Sequence, residues 1–394
     1  MLDIVGPFSL FEIVKPALMI LIFSFLIALW VTRELNWSFF VACVKSGIFT
    51  LYYGVVFDGT FTFLDDWSYV EGGKYLVTHD VSSINFLAHL PELFSVAGGM
   101  HFSYYLFNAD SFRIFGHAYY APVSINVVLT VVMAGLITCA VRSSLGFSRS
   151  LSVALFVFLA LQPNILAWST IMNGKDTLVL MFTAASVYAV SRMENGHYLR
   201  AAAIFGVVSL VLFFTRFYLP IILFSALFVA LLFSPKWRRN PALLTVVPAA
   251  LIGVIVLFGF DGVLSAFGQL REKFVNPMYG TIRFLLTPIP FHTSESYSFL
   301  NVPQTFHWLM LLSLIFGIYR VWRKASLTAR FIVIYFLGMI LLYGMFEELQ
   351  GPRHRYQLEG IIAFFQFYGS VGILRQLLSK SYGSRDLQSA QLSL

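Results

Sequence analysis

Runs of about 20 apolar residues, repeated along nearly the whole chain and parted by small groups of charges, constrain this sequence more than anything else. A helix crossing the hydrocarbon core of a bilayer needs about that length, because every backbone N–H and C=O must be satisfied within the segment. We place spans near 14–32, 38–57, 122–141, 150–165, 176–191, 199–215, 218–234, 243–260, 306–320, 329–346 and 360–377, about eleven in all. Composition agrees, with 58% hydrophobic and 11% charged residues over 394 positions, against roughly 25% charged in soluble domains. The expected fold is all-α: a polytopic integral membrane protein with about eleven transmembrane helices. A soluble enzyme, a secreted domain and a disordered regulator are excluded.

The formal charge of +7 does not indicate nucleic acid, because the basic residues stand one to three at a time between apolar runs and build no stripe. Topology accounts for them. Arg142 and Arg149, Arg192 and Arg200, Lys236 to Arg239, Arg320 to Arg330, and Arg375 to Arg385 all fall on one side, which the positive-inside rule makes the cytoplasm. The N-terminus, the long loops 58–121 and 261–305 and the short loops 166–175 and 347–359 then face outward. We expect a multi-pass protein of the plasma (bacterial inner) membrane with a cytoplasmic C-terminus. Residues 1–380 form one membrane domain, and 381–394 form a disordered cytoplasmic tail. The first apolar run lacks a small-residue cleavage site behind it and reads as a retained anchor. Cys43 and Cys139 lie inside apolar runs, which leaves no disulfide scaffold.

Polarity concentrates in the loop 58–121. The stretch Asn85 to Phe107 is apolar but interrupted by His89, Pro91, Glu92, Gly98, Gly99 and His101, so it reads as a pair of outward-facing amphipathic helices rather than a span. Asp65 and Asp66 follow an apolar stretch directly and belong at the outer membrane boundary. Two adjacent carboxylates there cannot both ionise cheaply, which suits one of them to act as a general base or a metal ligand. Of the two, Asp66 is the preferred base, because it stands one helical turn before Tyr69. Tyr69, Lys74 and Glu92 are candidate substrate contacts. Asp65 and Asp66 with His89 form a candidate seat for a divalent ion, and no other cofactor is expected.

Asp65-Asp66-x-x-Tyr69 at the head of the first long outer loop, the two interfacial helices behind it, Phe115-Gly116 and a return span with Asn126 together resemble the GT-C fold glycosyltransferases. These include the protein O-mannosyltransferases and the lipid A aminoarabinose transferases. The resemblance continues through Pro163, Trp168-Ser169, Lys175-Asp176 and Arg353-His354-Arg355-Tyr356 ahead of the last span. Where relatives carry a proline after the late arginine-tyrosine, this chain has Gln357-Leu358-Glu359. The resemblance implies a sugar donor linked to a polyprenyl phosphate and a glycan, lipid or protein acceptor. A hydroxyl of the acceptor would give its proton to Asp65 or Asp66 and attack the anomeric carbon.

Other charged positions fit a phosphate-bearing ligand. Arg353 and Arg355 lie outside against the positive-inside trend, and a guanidinium donates in a fixed fork to phosphate oxygens. Ion pairs with Glu347, Glu348 or Glu359 are the bland alternative. In Asn173-Gly174-Lys175-Asp176, Lys175 is placed to meet a phosphate and Asp176 to orient it, whereas a purely structural reading makes Asn173 the helix cap. Arg216, Arg283 and Tyr356 complete the candidate substrate contacts. Lys45 is the one basic residue well inside a span and is expected to snorkel. Histidine spacing gives no zinc-hydrolase pattern, and no phosphate-binding Gly-rich loop is present. Two rival readings are a Wzy-like polymerase of lipid-linked oligosaccharides, whose R-x10-G outer-loop signature is missing, and a lipid or solute transporter, for which midplane charge and related halves are wanting.

Overall fold

The computed structural model describes residues 8–59, 65–99, 101–258, 274–293 and 295–381. Residues 382–394 of the expected tail and 261–273 of the second long loop lie outside the described residues. Among the described residues all regular elements are helices, apart from an isolated bridge between Phe274 and Phe346. In chain order the helices are α1 (Leu10–Thr32), α2 (Leu35–Leu51), α3 (Asp65–Thr78), α4 (Leu90–Ala97), α5 (Ser103–Phe115), α6 (Tyr120–Leu145), α7 (Arg149–Leu161), α8 (Pro163–Ile171), α9 (Asp176–Glu194), α10 (Tyr198–Phe213), α11 (Tyr218–Phe233) and α12 (Pro241–Phe258). They continue with α13 (Pro277–Leu286), α14 (Asn301–Leu309), α15 (Leu311–Trp322), α16 (Leu327–Met345), α17 (Pro352–Tyr356) and α18 (Glu359–Ser381).

Among the described residues five helices are long and apolar enough to cross a membrane, and up to seven spans result if α7 with α8 and Tyr297–Leu309 with α15 each count as one bent span, with bends of 41° and 55°. The expected count of about eleven is not confirmed by length and composition: α10 and α11, for instance, are apolar but have 16 residues each, about 24 Å of helix against a core of about 30 Å. The bend between α7 and α8 falls where Gln162 leaves helical geometry ahead of Pro163, as the residue before a proline tends to do.

A central core joins α6, α7, α9, α16 and α18 through Met133, Phe156, Leu180, Phe336 and Phe364, all but closed to solvent. α1 and α2 pack together and on α6, with Ile13, Phe49 and Tyr53 between them. α3, α4 and α5 build a third cluster, which meets α9 at Leu178. The contact of α3 with α5 depends on two glycines: a Cβ on Gly72 would stand 2.3 Å from the Tyr105 ring and one on Gly73 2.7 Å from the Asn108 Cβ. The loop region therefore forms a helical cap at one end of the bundle. At the opposite end Glu194 accepts hydrogen bonds from the Leu327 and Thr328 N–H groups at 2.9 and 3.1 Å, capping α16. Lys45 does not snorkel. It is 1% exposed and donates to Thr130 Oγ1 at 2.8 Å between α2 and α6.

A candidate active site under the helical cap

Five charged side chains from four separate stretches of the chain meet beneath α3. Asp176, the first residue of α9, is fully buried. Its Oδ2 accepts from Arg353 Nε at 2.7 Å, and its Oδ1 accepts from an Arg216 guanidinium nitrogen and from Gln357 Nε2, each at 2.7 Å. Arg353 uses a second nitrogen to donate to Asp65 and a third to reach the Tyr69 hydroxyl at 3.4 Å. Lys175 holds its ammonium 5.9 Å from the centre of the Tyr69 ring and has no carboxylate within ion-pair distance among the described residues. The cluster therefore sets three cations, Lys175, Arg216 and Arg353, against two carboxylates, Asp65 and Asp176. Burial pushes the Lys175 ammonium down to about 8, with the Arg216 charge acting in the same direction and Asp176 against it.

A neutral polar network positions the turn that carries Lys175 and Asp176. The Asn173 side chain does not cap α9. Its Oδ1 accepts from the Tyr104 hydroxyl at 2.7 Å, and its Nδ2 donates to Asn108 Oδ1 at 2.8 Å. Asn126 donates to that tyrosine oxygen at 2.9 Å, and the backbone N–H of Asn173 donates to the Tyr119 hydroxyl at 3.2 Å. All five side chains are buried, so the turn is tied to α5 and α6 in a low-dielectric setting where each bond is worth more than at the surface.

The two adjacent aspartates point apart. Asp66 is fully buried and accepts from the Tyr119 hydroxyl at 2.7 Å and from the Trp67 N–H at 3.0 Å. The Asp65 side chain is 53% exposed and faces Arg353, so it is the member of the pair that both the cations and an incoming molecule can reach.

Other expected contacts fall elsewhere. Arg355 sits on the far side of α17 from Arg353, 2% exposed, and donates to the carbonyls of Leu285 and Thr287 and to Gln304, with Glu359 at 3.9 Å. Its fork is occupied by protein, which removes it as a phosphate ligand. Tyr356 is also internal, stacked on Trp168 at 5.2 Å and bonded to Thr177 at 3.4 Å. Arg283 pairs with Glu347 at 3.2 Å on the surface, a contact of little energetic weight. Glu92 pairs with His89 at 3.1 Å, and Lys74 forms no ion pair among the described residues. The divalent-ion seat is not assembled: among the described residues no three His, Cys, Asp or Glu side chains converge on one point, and His89 is engaged with Glu92.

Three members of the site were not singled out in the sequence. His354 Nε2 lies 3.2 Å from an Arg216 guanidinium nitrogen, Gln357 binds Asp176, and Tyr343 donates to Gln357 Oε1 at 2.7 Å. The signal for His354 and Gln357 was their place in the arginine-rich segment ahead of the last span. An apolar cavity of about 630 Å³ lies between the cap and the bundle, lined by Phe86, Leu90, Phe102, Leu106, Leu178 and Phe214. Leu178 and Phe214 are each two residues from a cluster side chain. A larger cavity of about 900 Å³ surrounds Glu34, Trp37 and Arg149 at the other end of the bundle.

The architecture is that of an all-helical, multi-pass membrane protein with a charged, partly accessible site under a helical cap. Residues 103–265 match the family model of dolichyl-phosphate-mannose-protein mannosyltransferases. That match supports a membrane glycosyltransferase of the GT-C type, and it contains Asn173, Lys175, Asp176 and Arg216. No curated protein and no solved structure matches the chain.

Proposed function

We propose that this chain transfers a sugar from a polyprenyl-phosphate carrier to an acceptor hydroxyl on the outer side of the plasma membrane. The observation that carries the reading is the surplus of one cation in the cluster, beside a carboxylate that remains accessible. A phosphodiester donor brings one negative charge to a place where Lys175 has no protein carboxylate to pair with. Asp65, oriented by Arg353, takes the proton of the acceptor hydroxyl as its oxygen bonds to the anomeric carbon. The bond from that carbon to the phosphate oxygen breaks, and its electron pair leaves on the carrier phosphate, whose new charge the cations stabilise. The apolar cavity beside Leu178 and Phe214 has room for the first isoprene units of the carrier.

Lys175 gives the reaction a pH dependence. An anion beside the ammonium raises its pKa, so donor binding takes up a proton wherever the free site has lost one. Below about 8 the free ammonium is already charged and the donor KM should be flat. Above that value KM should climb, by up to about tenfold per pH unit. Lys175→Arg, which stays protonated, should flatten the rise. Parallel KM profiles for the two proteins between pH 7 and 10 would remove Lys175 from the donor site.

The outward orientation is tested in intact cells after replacing Cys43 and Cys139 with alanine. Asp80, almost fully exposed in the cap, should react as Asp80→Cys with a membrane-impermeant thiol reagent, and Lys324→Cys should not. The reverse pattern would place the site in the cytoplasm, where nucleotide sugars are at hand, and the lipid-donor reading would fall.

A further inference from the structure

His354 is the one member of the cluster whose protonation is dictated by a neighbour. An arginine guanidinium carries five N–H donors and no acceptor, so the 3.2 Å contact between Arg216 and His354 Nε2 requires the lone pair on Nε2. The imidazole is then neutral and its proton resides on Nδ1. Its surroundings act in the same sense: burial and the Arg216 charge push the ring down to about 3, with Arg353 and Lys175 adding to the effect and Asp176 opposing it. Tyr343 packs against the ring with centroids 5.3 Å apart, and Tyr218, bonded to Tyr343 at 3.1 Å, closes the α11 side. Nδ1 has no partner among the described residues, nor is it one of the sealed, unbonded polar atoms of the interior. The ring therefore presents an open N–H beside Lys175, Arg216 and Arg353.

We propose that His354 binds the ligand's phosphate as a fixed neutral donor, its Nδ1–H directed to a phosphate oxygen while Arg216 holds Nε2. The assignment rests on the lipid-phosphate reading above and refines it. With Arg353 engaged by Asp65 and Asp176, and Arg216 by Asp176 and His354, the groups left to meet an anion are Lys175 and His354. A neutral donor suits that place. One cation in surplus already balances a phosphodiester, and a second would bind the dianionic product phosphate too tightly for release. A hydrogen bond that strengthens as charge builds on the departing oxygen favours the transition state instead.

Two near-isosteric substitutions separate donation from positioning. Asparagine places an N–H₂ near Nδ1 and leaves Arg216 without its acceptor, whereas glutamine, as the isostere of the Nε2 side, keeps an acceptor for Arg216 and lacks the Nδ1 donor. We expect His354→Asn to retain most of the transfer and His354→Gln and His354→Ala to lose about ten- to a hundredfold. Recovery by glutamine and not by asparagine would make His354 a positioning residue for Arg216 and overturn the assignment, as would undiminished transfer in His354→Ala.

A measurement on the unaltered chain removes dependence on the folding of any variant. Protein with ¹⁵N-labelled histidine in nanodiscs should show a neutral His354 with its proton on Nδ1, and that signal should move when sugar-free polyprenyl monophosphate is added. A charged ring, a proton on Nε2, or a signal unmoved by bound lipid phosphate would each refute the proposal. Absence of any polyprenyl-phosphate binding by the wild-type chain would sink the donor reading and this assignment with it, whereas wild-type binding that His354→Ala matches would sink this assignment alone.

Discussion

Asp65→Asn is expected to abolish sugar transfer, with a loss on the order of 10²- to 10⁴-fold, the usual contribution of a positioned general base. Asparagine keeps the size of the side chain and can still accept from Arg353, but it cannot take a proton. The protein should insert and purify normally, because Asp65 is half exposed and its pairing with Arg353 is only one of that arginine's contacts. Asp66→Asn should behave in the opposite way. It alters a fully buried group that accepts from Tyr119, so the main effect should be a lower melting temperature with transfer per folded molecule largely kept. Assays with a labelled polyprenyl-phosphate sugar, run beside size-exclusion profiles, separate the two. Near-normal transfer by Asp65→Asn would show that the base lies elsewhere. A loss confined to Asp66→Asn in well-folded protein would return the role to the buried carboxylate.

Helicity and the membrane setting were legible because apolar runs of span length leave few other folds open. The number of crossings was less so, since a run of apolar residues does not say how much of it is straight helix: α10 and α11 stop at 16 residues, and Gln162 bends α7 into α8. Asp65, Lys175, Asp176, Arg216 and Arg353 stood out as charges at the ends of apolar runs, where ionisation is costly without a reason. Their mutual pairing was not legible, because Asp65 and Arg353 are 288 residues apart and nothing local couples them. The direction of neighbouring side chains was within reach. Residues two apart on a helix point about 200° from each other, so Arg353 and Arg355 could not both face one phosphate. Adjacent residues differ by about 100°, which sends Asp65 to the cluster and Asp66 to Tyr119. Gln357 anchors the segment that carries Arg353 to Asp176, and Glu359, which accepts from Gln162 Nε2 and Asn164 Nδ2 at 2.8 and 3.1 Å, anchors it to the bend between α7 and α8.

Asp176→Ala should be the most damaging single change to stability. The carboxylate is completely buried and accepts three hydrogen bonds of 2.7 Å, two of them from arginines. A buried ion pair need not stabilise a fold relative to an apolar substitute, but removal of one partner leaves the other charge stranded at a cost of about 3–5 kcal/mol. Here two guanidiniums share the partner. Arg353 keeps Asp65, whereas Arg216, with its side chain only 10% exposed, would retain hydroxyl and imidazole contacts and no carboxylate. The stranded charge, rather than the lost hydrogen bonds, should dominate, and this makes the prediction selective. Adding Arg216→Met to Asp176→Ala removes the stranded cation and should recover a substantial part of the lost melting temperature in detergent, even though the double variant has fewer polar contacts than either single one. Activity should not return, since the cluster keeps its surplus of one cation but loses the Arg216 contact that seats His354 and the Asp176 contact that holds Arg353. Additive losses in the double variant would mean that the pair is not energetically coupled, and a stable, active Asp176→Ala would mean that the ionic cluster does not hold the cap, α9 and the last loop together.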